Sequence, residues 1–158
     1  MRPELIVGNN QHATEIPESW LTALEKGGAL AAQEILARYL ASDDAPLPEH
    51  ECVEVALVDD ETSARVHEQF MGILGETDVI TFHHGEIVIG VEVAFRQAAE
   101  NGEPPLRELL RYVIHGLLHL AGHEDEEPAD RAKMEAAQEP LVAMLWPEVA
   151  GVMVDGRW

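Results

Sequence analysis

The stretch His115-Gly116-Leu117-Leu118-His119-Leu120-Ala121-Gly122-His123-Glu124-Asp125 gathers the side chains best suited to chemistry. Two histidines four apart on a helix lie on one face, one turn above the other, so both imidazoles can reach one metal ion. Gly122 follows three residues after His119. There it can take a positive φ, stop the helix and fold the chain back. Asp125 comes three residues later, placed to bring a carboxylate to the same ion. Three protein ligands with a fourth position left for water is the arrangement of a catalytic zinc site. Two buried helical histidines, each bonded to a carbonyl, would give the same spacing. The glycine and the acidic residues after it favour the metal, one zinc per chain.

A zinc ion held in this way lowers the pKa of its water to about 7 and polarises a bound carbonyl or phosphoryl oxygen. Hydrolysis is the expected reaction class. In zinc peptidases with H-E-x-x-H, the glutamate after the first histidine is the general base. That position is Gly116 here, which argues against a peptidase of that type. Gly116 is expected to allow close packing against the helix instead. Arg111 lies four residues before His115 and shares its face, so its guanidinium is a candidate phosphate contact. A salt bridge to Glu108 or to an acid of the 124–127 run is the competing reading. Glu124, Glu126 and Glu127 read as a solvated acidic turn, any of which could orient a ligand histidine.

The helix that must carry this site opens at Pro104-Pro105. Apolar residues at 106, 109, 110, 113, 114, 117 and 118 form a wide stripe, with His115 and His119 at its edge. Before it, residues 4–8 read as a strand and 17–41 as a helix broken or kinked at Gly27-Gly28. Residues 42–50 read as a loop and 51–58 as a strand that begins at Cys52, expected to be a small core residue. Asp59 to Thr62 should cap a helix that runs to about Met71. Residues 77–82 and 86–89 read as an antiparallel hairpin turned by His83-His84-Gly85, and 91–100 as a further helix. Pro128 should begin a last helix to about Leu145, followed by an extended tail over about 149–158. Strands separated by helices predict an α/β (α+β) fold, a single mixed β-sheet packed with helices, in one domain over 1–158.

The 158 residues are 46% apolar, and the formal charge is −20. So acidic a chain has no broad basic surface for nucleic acid, and no DNA partner is expected. Any RNA substrate must be met by a few arginines near the site or presented by a partner. No apolar run approaches the length of a membrane span, and Met1 to Glu4 lead into only a short apolar stretch, so a cytoplasmic protein without a membrane partner is expected. One cysteine allows no internal disulfide.

The signature also resembles that of the YbeY-type endoribonucleases, the rRNA maturation factors, which reads H-G-x-L-H-L-x-G-x-D-H. His115, Gly116, Leu118, His119, Leu120 and Gly122 match it position by position. Thr77 to Phe82 is similar to the family's P-T-D-V-L-S-F block, and Gly85 to Ile89 to its G-D-I-x-I block. The resemblance covers roughly residues 50 to 135. It implies a zinc-dependent endoribonuclease acting on single-stranded or ribosomal RNA, with the ribosome or its assembly factors as partners. The family's third ligand is a histidine where this chain has Asp125, and a histidine stands two positions earlier, at His123. Asp125 is the expected third ligand and His123 the alternative. Glu76 stands in place of the family's proline, and Met71 in place of its upstream arginine. Met71 and the charge of −20 support a second reading, a non-catalytic ribosome-assembly binding factor with a structural zinc. A metallopeptidase with an unusual base is a third.

Overall fold

The computed structural model describes residues 3–73, 75 and 77–153. Four strands, β1 (Glu4–Asn9), β2 (Cys52–Val58), β3 (Val79–Phe82) and β4 (Glu86–Gly90), form one sheet in the order β1-β2-β4-β3. β1 pairs β2 and β2 pairs β4 in parallel, while β3 and β4 form the antiparallel hairpin. Five helices accompany the sheet among the described residues: α1 (Glu18–Arg38), α2 (Asp60–Met71), α3 (Val91–Asn101), α4 (Pro105–Leu120) and α5 (Pro128–Ala150). The mixed α/β architecture is the expected one.

The sheet's two faces are covered unequally. Val53, Val55, Leu57, Ile87 and Ile89 point into the main core with the apolar faces of α1, α4 and α5. All seven stripe positions of α4 are fully buried there. At roughly 1.5–3 kcal/mol for each large aliphatic side chain removed from water, this helix is a principal source of stability. On the other face Val58, Ile80 and Val88 meet Val66 of α2 and Phe82 in a smaller cluster. α4 thus runs through the centre of the molecule and presents one edge, with His115 and His119, to solvent.

Several expectations are corrected. Gly27 and Gly28 do not break α1, which runs unbroken through both. A Cβ on Gly27 would lie 2.7 Å from Val149, and one on Gly28 3.0 Å from Leu5. The glycines let α1 lie close to α5 and β1, and that burial outweighs their low helix propensity. The last helix does not stop near Leu145 but continues through Pro140 and Pro147 to Ala150. Its buried face (Met134, Ala137, Leu141, Val142, Leu145, Val149) compensates the backbone bonds that the prolines remove. The supposed tail from 149 therefore starts inside a helix, and residues 154–158 lie outside the described ones. Cys52 is only partly buried at the start of β2 rather than a core residue. The loop over 42–50 contains a short 3-10 turn, Leu47–Glu49.

Candidate metal centre

The site is built at the C-terminal end of α4. There Gly122 takes φ +98°. The amide of His123 donates to the Leu118 carbonyl at 3.0 Å, and that of Gly122 to the His119 carbonyl at 3.0 Å. This paired closure uses carbonyls that a helix end leaves open, and it requires the left-handed residue that glycine supplies. A Cβ on Gly122 would also press on Ser42 at 3.0 Å. The reversed chain is then fixed on both sides. His123 is buried, and its Nε2 donates to the Tyr39 carbonyl at 2.6 Å. From α5, the Arg131 guanidinium donates to the carbonyls of Asp125, at 3.2 Å, and Glu126, at 3.3 Å.

Held in this way, Asp125 Oδ2 lies 3.3 Å from His115 Nε2 and 3.4 Å from His119 Nε2. The three donor atoms lie within 4.8 Å of one another. Zinc bonds of about 2.0–2.1 Å at tetrahedral angles put two donors about 3.3 Å apart. Both carboxylate–imidazole distances match that edge. The far side of each ring is also engaged. His119 Nδ1 donates to the His123 carbonyl at 3.0 Å, and His115 Nδ1 meets Gln138 Oε1 at 2.8 Å. Both contacts call for a proton on Nδ1, which leaves the Nε2 lone pairs facing Asp125. Burial, followed by the neighbouring His115, holds the His119 imidazole below its ordinary pKa, which favours the neutral form. The donor set, its spacing and its protonation all suit a zinc ion.

The structure brings together His115, His119 and Asp125 and sets His123 apart, against the end of α1. None of the acidic residues 124, 126 and 127 reaches a ligand ring; a main-chain carbonyl and Gln138 do so instead. Two clefts, of about 690 and about 620 Å³, meet at this point, both lined by Thr77, Asp78, His115 and Asp125. One continues past Arg96, Arg111 and Gln138, the other past His67, Met71 and His83. An extended ligand could therefore cross the histidines from side to side.

Arg111 does not present a free guanidinium. Its Nε and Nη2 donate to Glu139, each at 2.9 Å, its Nη1 donates to Glu103 at 2.8 Å and also to Glu108. Burial opposes the charge, but the Glu139 and Glu103 carboxylates outweigh it and raise the pKa above its ordinary value. The salt bridge to Glu108 is present, within a larger cluster. Gly116 packs against a side chain, since a Cβ there would lie 2.7–2.9 Å from three atoms of Ile87. His84 pairs with Glu86 at the surface, and the His83 carbonyl accepts from His50. Sequence reasoning missed Gln138: a polar amide on the apolar face of α5 marks the position as unusual, but nothing local ties it to His115. It also left Asp78 unplaced.

Comparison with known proteins bears on the family and the fold. The family model described as Endoribonuclease YbeY matches residues 25–145. A Symbiobacterium thermophilum protein named Endoribonuclease YbeY is 31% identical, over 90% of this chain and 97% of its own length. A Cutibacterium acnes protein of the same name is 38% identical, over 58% of this chain and 70% of its own length. A solution structure of a Thermotoga maritima protein shares the fold, with a TM-score of 0.63 over 98% of this chain and 99% of that one, at 24% identity. With the family match extending over β2, the β3–β4 hairpin and the whole of α4, and the Symbiobacterium relative matched over nearly its full length, the chain belongs to the YbeY endoribonuclease family.

Proposed function

We propose that this chain is a zinc-dependent endoribonuclease that cleaves phosphodiesters of single-stranded RNA and acts in ribosomal RNA maturation in the cytoplasm, on the ribosome or with its assembly factors. The observation that carries the reading is the convergence of two Nε2 lone pairs and one carboxylate oxygen at zinc-ligand spacing, at the meeting of two open clefts. Family membership supplies the substrate class. Among the described residues no helix is long and apolar enough to cross a membrane.

His115, His119 and Asp125 would hold the ion. When bound, zinc supplies an activated water near neutral pH and polarises the phosphoryl oxygen. The chain does the rest by position. The hydrogen bonds at the two Nδ1 atoms hold both rings in one tautomer, and the turn at Gly122 carries the carboxylate back to them. The clefts on either side accept the strand. With Gly116 where a peptidase has its glutamate, no carboxylate is offered from that point of α4 to an amide substrate.

The test is zinc per chain by elemental analysis, on wild type, Asp125→Ala and His119→Ala, followed by cleavage of single-stranded RNA. About one zinc in wild type, a large loss in both variants and cleavage abolished in a folded His119→Ala protein are expected. Zinc without cleavage would favour the binding-factor reading, which Met71 and the engaged Arg111 motivate. No zinc in a folded wild type would sink the hydrolase reading.

A further inference from the structure

A continuous chain of hydrogen bonds runs from the candidate metal ligand His115 along the contact of α4 with α5, through buried Gln138 to the half-exposed Glu139 carboxylate. His115 Nδ1 meets Gln138 Oε1 at 2.8 Å, and Gln138 Nε2 donates to Glu139 Oε2 at 3.0 Å. Glu139 takes two donors from Arg111, which Glu103 and Glu108 hold from the other side. Gln138 is itself only 7% exposed.

The direction of each bond follows from the one before it. A carboxylate only accepts, so Glu139 must take an N–H from Gln138. The amide can then offer only its oxygen to His115. An oxygen demands a proton on Nδ1, and a neutral imidazole has just one proton to place. The Nε2 lone pair is left facing Asp125. Arg111 completes the sequence by fixing Glu139 through both of its oxygens, a geometry that a rigid planar fork imposes and a single-point cation does not.

We propose that Arg111, Glu139 and Gln138 form a relay that fixes the tautomer and orientation of His115 for metal binding, so that Arg111 is a positioning residue rather than a substrate contact. This rests on the zinc reading above and deepens it. The relay starts on α4, crosses to α5 and returns to α4 one turn later. It therefore ties His115 to the packing of α4 against α5. His119 has no such side-chain partner; its Nδ1 is held by the main chain within its own helix-ending turn. The two ligands are thus fixed by independent means, and a change in the relay should be felt at His115 alone.

The test uses the full chain, stripped of metal, and reads the ring nitrogens of His115 and His119 by long-range proton–nitrogen correlation at about pH 8, where imidazole is neutral. Zinc affinity is measured on the same proteins by competition with a chelator. In wild type, His115 is expected to carry its proton on Nδ1. Gln138→Ala should give a mixed tautomer at His115, leave His119 unchanged, and weaken zinc binding by about 10- to 100-fold. Glu139→Ala frees the amide to turn and should give the same signature more weakly. The exchange Gln138→Glu with Glu139→Gln keeps an acceptor beside His115 and a donor–acceptor pair between the two positions, and leaves Arg111 one acceptor oxygen at 139 in place of two. It should restore both readouts, which a role in mere packing would not predict. Wild-type tautomer and affinity in Gln138→Ala overturn the relay, as does a double exchange that binds zinc no better than Gln138→Ala. If wild type takes up no zinc at all, the metal reading fails, and the tautomer series alone still decides the relay.

Discussion

Gly116 separates two effects that pull in opposite directions. In a helix interior, alanine is favoured over glycine by about 1 kcal/mol. Here the added Cβ would meet Cδ1, Cγ2 and Cγ1 of Ile87 at 2.7, 2.8 and 2.9 Å. Ile87 is fully buried and branched at Cβ, so it has no alternative rotamer into which to retreat. Overpacking of this kind costs about 1–3 kcal/mol. Three atoms met at once put the cost at the upper end of that range, so that, less the helix gain of about 1 kcal/mol, Gly116→Ala is expected to be less stable than wild type by about 1–2 kcal/mol, read from the urea midpoint at unchanged slope. Adding Ile87→Val should recover only part, because Cγ1 and Cγ2 remain. A variant as stable as wild type would mean that α4 can lift from β4, and the ligand helix would be less firmly seated than its burial suggests. At this scale the cluster of His115, His119 and Asp125 was legible in the sequence, since a four-residue spacing on a helix and a glycine that ends it are local geometry. Gln138 was not, because it lies 23 residues from His115 and only the packing of α5 on α4 brings the two together.

The helices were mostly legible because their caps are written in the chain, and α2 is the clearest instance. Asp59 accepts the Thr62 amide at 2.8 Å, and Gly72 closes the other end in the left-handed region at φ 70°. The bond from the Thr62 amide holds the Asp59 carboxyl below its ordinary pKa. With the folded pKa below the unfolded one, the contribution is present above the ordinary value and is lost as pH falls through the folded one. The difference in urea midpoint between wild type and Asp59→Ala should thus be largest near neutral pH and shrink as pH drops below about 4. Asp59→Asn, which still accepts but does not titrate, should hold its margin over Asp59→Ala through the same range. A gap independent of pH would remove the carboxylate from the capping role. Where reading by element failed, the cause was tertiary. Gly27-Gly28 and Pro140 and Pro147 have the local signature of helix ends. They remain inside helices because Val149, Leu5, Leu110 and Val113 lie against the glycines. In α5 the buried face from Met134 to Val149 carries the prolines past their propensity.

The whole molecule carries a formal charge of −20, yet belongs to a family of endoribonucleases. The distribution of its few cations reconciles the two. In the clefts beside His115, Arg111 is held by three carboxylates and Arg96 is paired with Asp60 at 2.9 Å. Arg131 is tethered to the carbonyls of the Asp125 loop. Met71, in the other cleft, carries no charge to add. An RNA strand crossing the site therefore meets few cations that can release phosphate counterions. The slope of log K against log salt falls by about 0.7 for each phosphate neutralised on a single strand. We expect a shallow slope, of magnitude about 1–2, for short single-stranded RNA bound to the zinc-loaded His119-intact protein, measured by fluorescence anisotropy across a salt series. Arg131→Gln should reduce that slope by less than one phosphate's share, since its guanidinium already serves the loop, and should instead weaken zinc binding by loosening Asp125. A steep wild-type slope would mean that the ion pairs of Arg96 and Arg111 open to receive RNA. The acidic surface would then be a barrier to encounter rather than the setting of a weak, metal-centred contact.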